Sequence, residues 1–205
     1  MGRPARHQAA TILASAKRVS AAVGPQRLTI AAVASAAGTP VGSIYHRYAS
    51  RDDILAALWL ELVTEFQTRF LAHLERGDPV EAGLAALRFV CRWVRQHPCE
   101  ARLMLLHRRE DFAAERWAAT YRRRARDLAD QADTAMRRYA SRLLARAGAG
   151  ELRTVRFLLV DLPTAALRRD LEAGTPPSKR AEAMLLDTCA YALRRAQAGT
   201  RPTPL

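Results

Sequence analysis

Seven side chains in the first quarter of the chain share one kind of chemistry. Arg27, Thr29, Thr39, Ser43, Tyr45, His46 and Arg51 donate hydrogen bonds or carry positive charge, and the first carboxylate in the sequence is Asp52. Donors gathered without acidic neighbours suit the oxygens of phosphate, which they neither repel nor lose to internal ion pairs. Residues 1–51 hold seven basic side chains (Arg3, Arg6, Lys17, Arg18, Arg27, Arg47 and Arg51) and no acidic one, within a net charge of +13. The other 154 residues hold 26 basic and 20 acidic side chains, so the imbalance is concentrated at the beginning. Arg3 and Arg6 read equally well as an arm along a nucleic-acid backbone and as solvated charge.

Other chemistries lack their residues. No HExxH, GxSxG or phosphate-binding glycine loop occurs, and no spacing joins a nucleophile to a base, so an enzyme is not expected. Cys91, Cys99 and Cys189 have no paired spacing, and neither a metal nor another cofactor is expected. Residues 28–46 lack formal charge, but Gly38-Thr39-Pro40 and Gly42-Ser43 interrupt them and small residues dominate, so no membrane span is expected. The expected compartment is the cytoplasm.

The elements that must position the donors are helical. Alanine supplies 41 of 205 residues, which favours helices, and apolar residues repeat at three and four almost throughout. Ala9, Ile12, Ala16, Val19 and Val23 form one stripe that Gly24-Pro25 ends. Thr29 can cap a short second helix striped by Ile30, Val33, Ala34 and Ala37 and closed at Gly38. A third follows, with Thr39 as cap, Pro40 at its first position and Val41, Ile44, Tyr45 and Tyr48 at helical spacing. Ser50 and Asp53 form a capping box for a longer helix. Further helices are expected at 80–97, 99–109, 112–147, 151–172 and 178–197. Two short helices meeting at a glycine have helix-turn-helix dimensions, with Ala34 and Gly38 small at the crossing and Thr39, Val41, Ser43 and His46 facing outward.

The match extends beyond that pattern. Residues 12–59 resemble the DNA-binding region of the TetR family of bacterial transcriptional regulators. The resemblance rests on Ile12-Leu13, Ala16, Gly24, Leu28-Thr29-Ile30, Val33-Ala34, Ala37-Gly38, Gly42-Ser43-Ile44-Tyr45, Tyr48 and Asp53-Ile54-Leu55, in order and spacing. It implies that Thr29 touches phosphate, that 40–46 form the recognition helix, and that Val41, Gly42 and Ser43 lie nearest the bases. Tyr45 matches the family's phosphate-binding tyrosine, with His46 beside it at the groove and backbone. Three positions depart from the family pattern: Pro40 replaces a frequent Ser, Tyr48 a usual Phe and Arg51 a usual Lys. Capping then falls to Thr39 or is lost.

The expected architecture is all-α: a three-helix DNA-binding domain at 1–50, a larger helical domain at 51–200 and a frayed tail at 201–205, with about nine helices. By resemblance the larger part dimerises and holds a small-molecule effector, and the protein is a homodimeric repressor released from a palindromic operator in double-stranded DNA. Apolar stretches at Val155–Leu167 and in the last helix suggest a four-helix interface using Phe157, Val160, Leu167, Leu185, Leu186, Cys189 and Leu193; a deep intramolecular core is the competing reading. Phe89, Trp93, Met104, His107, Trp117, Tyr121, Phe157 and Asp161 lie on helices that could line one effector cavity. Asp161, inside an apolar run and two residues before Pro163, binds a cationic ligand or pairs with Arg153, Arg156 or Arg168. A sequence-independent basic nucleic-acid-binding protein and a helical enzyme remain alternatives.

Overall fold

The computed structural model describes residues 5–146 and 148–199. The positions of Arg3 and the 201–205 tail lie outside them, as does the side chain of Arg6. Nine helices and no strand occur among the described residues. They are α1 (Ala5–Val23), α2 (Ile30–Ala37), α3 (Val41–Tyr45), α4 (Arg51–Leu74), α5 (Pro79–Gln96), α6 (Pro98–Leu106), α7 (Ala119–Leu144), α8 and α9 (Lys179–Ala198). Helix α8 is continuous from Ala149–Arg156 through a π-helical turn at Phe157–Asp161 into Leu162–Ala173.

The chain forms two compact units. One is built from the chain up to Thr64 with Cys99–Asp127, the other from Glu65–Pro98 with the chain from Leu128 onward. The first unit thus takes in the start of α4, beyond residue 50, and returns to collect α6 and the start of α7.

In the first unit, Ile12 and Ala16 of α1, Leu28, Val33 and Ala34 around α2, Ile44 of α3, and Ile54, Leu55 and Leu58 of α4 are buried together. Segment 112–118 departs from the helix expected there. Two 3₁₀ turns, Arg109–Phe112 and Ala114–Arg116, precede α7, and Ala113 between them is left-handed at φ 59°. Local bonds outcompete the helix: Asp111 accepts from the Arg108 N–H at 2.9 Å, and the Trp117 indole N–H donates back to Phe112 O at 2.7 Å. Trp117 then packs on Trp59 with ring centroids 5.3 Å apart.

In the second unit, Asp78 caps α5 by accepting from the Val80 and Glu81 N–H groups at 2.9 and 3.0 Å, with Pro79 at the first position. The apolar face of α5 packs on α9, whose Leu185, Cys189 and Leu193 are buried at four-residue spacing. The π turn in α8 has a chemical cause. Pro163 has no N–H and its ring clashes with a preceding carbonyl, so the ladder widens, and Leu162 donates to Phe157 O five residues back. In that register Pro163 would owe a bond to Leu158 O, and the buried Cys189 thiol supplies it at 3.6 Å.

Burial pushes the Cys91 and Cys189 thiols up to about 11, so each stays protonated until the pH approaches that value. Cys99 is exposed. At pH 8 an aromatic disulfide reagent is expected to titrate one thiol rapidly, and the other two only on unfolding. Three fast equivalents would contradict the packing, and Cys99→Ser should remove the fast phase.

Candidate nucleic-acid interface

The turn between α2 and α3 needs a residue that enters left-handed space at no steric cost. Gly38 sits there at φ 61° and ψ 38°, and the next residue's N–H closes back on Ala34 O at 3.1 Å. Thr29 caps the start of α2, its Oγ1 accepting from the Ala32 N–H at 3.1 Å. The hydroxyl proton remains free to donate outward. Thr39 does not cap α3: Pro40 is the capping residue, extended at ψ 145° and without a side-chain bond. Proline presets the backbone there, so the helix starts without the hydroxyl.

Ile44 is fully buried and locks α3 against the rest of the unit. Its burial turns Val41 and Tyr45 outward, at 42% and 53% exposure. Gly42, His46, Arg27, Thr29 and Pro40 are also exposed, while Thr39 and Ser43 are half-buried. A methyl-bearing residue, a bare backbone and a phenol hydroxyl on one short helix suit a major groove and its flanking phosphates.

Arg51 has a different task from the phosphate contact expected of it. Its Nε donates to Leu28 O at 2.7 Å, and its Nη2 donates to Pro25 O at 3.0 Å and Gln26 O at 2.6 Å. Nη1 is tied to Asp52 at 3.0 Å. The guanidinium fork is spent on the turn before α2, which it holds in shape. Two arginines absent from the expected site support the same scaffold: Arg18 donates to Ala36 O at 3.0 Å, and Arg47 to Gln8 Oε1 at 3.3 Å. Their signal in sequence is only that they are charged, because their partners lie 18 and 39 residues away. Burial pushes the Tyr48 phenol up to about 12, with Tyr121 and Glu61 adding to the shift. Tyr48 therefore acts as a neutral core residue, as the phenylalanine it replaces would.

The residues expected to line one effector cavity divide between the units. Met104, His107, Trp117 and Tyr121 belong to the first, Phe89, Trp93, Phe157 and Asp161 to the second. Trp117 is consumed in packing against Trp59, and His107 Nδ1 lies 3.6 Å from Asp111 Oδ2. Phe157 and Asp161 are exposed, so neither faces the interior of its unit. Asp161 makes no ion pair among the described residues, since Arg156 takes Asp133 at 2.7 Å and Arg168 takes Glu172 at 3.4 Å.

The expected dimer contacts also separate. Leu167, Leu185, Cys189 and Leu193 are buried within the unit itself, which is the competing reading for those four. Leu186 is half-buried, whereas Phe157 and Val160 are 53% and 44% exposed. Met184 and Tyr191, seven residues apart on α9, are 63% and 67% exposed and complete an outward apolar set.

A short capped helix, a left-handed glycine turn and an exposed following helix free of carboxylates define a helix-turn-helix DNA-binding protein. Residues 12–58 match the family model of bacterial regulatory proteins, tetR family. At residues 12–58 the chain therefore carries a DNA-binding domain of the tetR family of bacterial regulatory proteins. No match is found among curated protein sequences. Solved structures share the fold over nearly the whole length. A transcriptional regulator from Rhodococcus sp. Rha1 is 22% identical, with 96% of this chain and 99% of that one covered and a TM-score of 0.66. PfmR from Thermus thermophilus is 19% identical, over 89% and 97% of the two chains, with a TM-score of 0.67. FadR from Bacillus subtilis, solved in complex with stearoyl-CoA, is 15% identical over 91% and 98%, with a TM-score of 0.68.

Proposed function

We propose that the protein is a homodimeric repressor, acting without catalysis in the cytoplasm, that a small-molecule effector releases from a palindromic operator. The observation that carries the reading is the outward face of α3, set by Gly38 and Ile44 in a segment with no acid before Asp52. A single five-residue helix reads few bases, so two copies are needed for a unique site. The exposed Phe157, Val160, Met184 and Tyr191 offer an apolar surface for twofold pairing, which would present two recognition helices to half-sites one DNA turn apart.

For the effector, the second unit holds a group of aromatic rings. Phe66 lies 5.7 Å from Phe70, 5.6 Å from Phe89 and 4.8 Å from Trp93, centroid to centroid. The Trp93 indole N–H is buried without a partner, a cost that an acceptor on an apolar ligand would remove. FadR, solved in complex with stearoyl-CoA, is a precedent for an acyl-chain ligand on this fold. The ligand must favour a conformation in which the two half-sites are no longer met together.

Fluorescence anisotropy on the intergenic DNA beside the protein's own gene is the test. At roughly 150 mM salt a specificity ratio of at least about 10³ over random duplex is expected, and equal binding to both would end the repressor reading. Tyr45→Phe is expected to weaken operator binding about tenfold per half-site, through one lost hydrogen bond to phosphate. Because the substitution removes a hydrogen bond and no cation, the salt dependence should not change; a flatter salt dependence would show that Tyr45 acts otherwise.

A further inference from the structure

Between Arg116 and Arg126 the chain carries five arginines and no acid. Four of them, Arg122, Arg123, Arg124 and Arg126, occupy the first turns of α7, whose opening turn has no acidic residue. Cations are disfavoured at that end of a helix, because the unpaired N–H groups already make it positive. Ala125 is buried and marks the inward side, so the four arginines fan over the exposed faces. The arginines of the second unit are often paired: Arg137 and Arg156 share Asp133, Arg168 meets Glu172, and Arg95 meets Glu182. Among the described residues Arg123, Arg124 and Arg126 have no such partner, and the carboxylates resume only at Asp127.

The tract belongs to the unit that carries the recognition helix. Arg116 is bound to Asp52 at 2.7 Å, and Trp117 packs on Trp59, so the segment leading into α7 is fastened to the first half of α4. Arg122 donates to Trp117 O and continues that fastening. Tyr121 stands close enough to Asp53 for its charge to add to the rise that burial gives the Tyr121 phenol. These attachment points on α4 follow α3 closely in the chain.

We propose that the arginine tract at the start of α7 grips the phosphate backbone of DNA flanking each operator half-site, extending the contact beyond the recognition helix. The inference rests on the operator-binding reading above. Among the described residues Arg123 and Arg126 carry no side-chain partner, whereas Arg124 interacts with Tyr121 and Arg122 is partly spent on Trp117. The contact is electrostatic and indifferent to sequence, so any flanking duplex long enough to reach the tract adds affinity.

The test uses the full chain and an operator selected by the wild-type protein from a random-sequence pool. Two probes are compared by anisotropy: a duplex ending at the half-sites, and the same duplex with about ten more base pairs on each side. Wild type should bind the longer probe several-fold more tightly at about 100 mM salt. Its plot of log affinity against log salt should be steeper by about 0.9 for each added phosphate contact. Arg123→Gln/Arg126→Gln should keep the short-probe affinity and lose the gain from the flanks. Arg138→Gln/Arg153→Gln, which removes equal charge from the second unit, should keep both. The proposal is overturned if the flanks give wild type nothing, if the first variant retains the gain, or if the second variant loses it equally. Failure to select any operator would instead overturn the regulator reading, so the two failures are separable. Unchanged thermal midpoints would show that neither variant acts through folding.

Discussion

Gly83→Ala is expected to destabilise the protein by about 2–3 kcal/mol, although alanine is the better helix former by about 0.8–1.0 kcal/mol. Gly83 lies in the first half of α5, where a β-carbon would stand 2.3 Å from Tyr139 Oη and 3.0 Å from Leu193 Cδ1. The phenol cannot swing aside cheaply. Tyr139 is 1% exposed, and its hydroxyl donates to Pro79 O at 2.8 Å at the first turn of the same helix. Burial also raises its pKa strongly, consistent with a hydroxyl held in a dry site. To admit the methyl, Tyr139 must give up that bond or α5 must move off α7 and α9.

A double-mutant cycle makes the argument specific. Tyr139→Phe alone should cost about 1 kcal/mol for the lost hydrogen bond. In the Gly83→Ala/Tyr139→Phe protein the oxygen that met the methyl is gone, and the remaining contacts, 3.0 Å to Leu193 and 3.3 Å to the ring, are milder. The two changes should therefore couple favourably by at least about 1 kcal/mol, measured by denaturant unfolding. Simple additivity, or a single Gly83→Ala protein more stable than wild type, would sink the close-contact explanation.

Arg51→Met should lower stability by about 2 kcal/mol and operator affinity at least tenfold. The substitution keeps much of the aliphatic stem and removes the fork that holds Leu28 O, Pro25 O and Gln26 O. Those carbonyls shape the turn that delivers Thr29 to the start of α2. Because the Arg51 side chain is 26% exposed, water can replace part of what is lost, which is why the figure is not larger. Arg51→Lys should recover little, since one ammonium cannot span three carbonyls. The two roles open to Arg51 give opposite signatures. A phosphate contact predicts a flatter salt dependence and unchanged stability, whereas a structural clamp predicts lower stability and an unchanged slope. Wild-type stability in Arg51→Met would remove the clamp.

The reading unit was legible because its determinants are local. Thr29 caps a residue three positions away, Gly38 closes a turn on Ala34, and the Ile44 and Val41 faces follow from three- and four-residue spacing. The departure at 112–118 was not legible, because helical periodicity continues through Phe112 and Trp117. What interrupts it is the left-handed Ala113 and two bonds that close locally on Arg108 and Phe112. The eight residues expected to line one effector cavity fall on both units, which spacing did not show. Periodicity says which face of each helix is apolar but not which unit it faces, and the chain alternates between two units at 64, 98 and 127.

By itself the sequence determined the helix-turn-helix and the chemistry of its outer face, since residue type and short-range spacing are enough to set caps, turns and a carboxylate-free surface. Only the tertiary structure decided which side chains remain available. Arg51 is committed to carbonyls 23 to 26 residues away, and Leu185, Cys189 and Leu193 to their own core, leaving Met184 and Tyr191 outside. The reason is physical: long-range hydrogen bonds and the choice between two apolar stripes on one helix depend on neighbours that spacing along the chain does not encode.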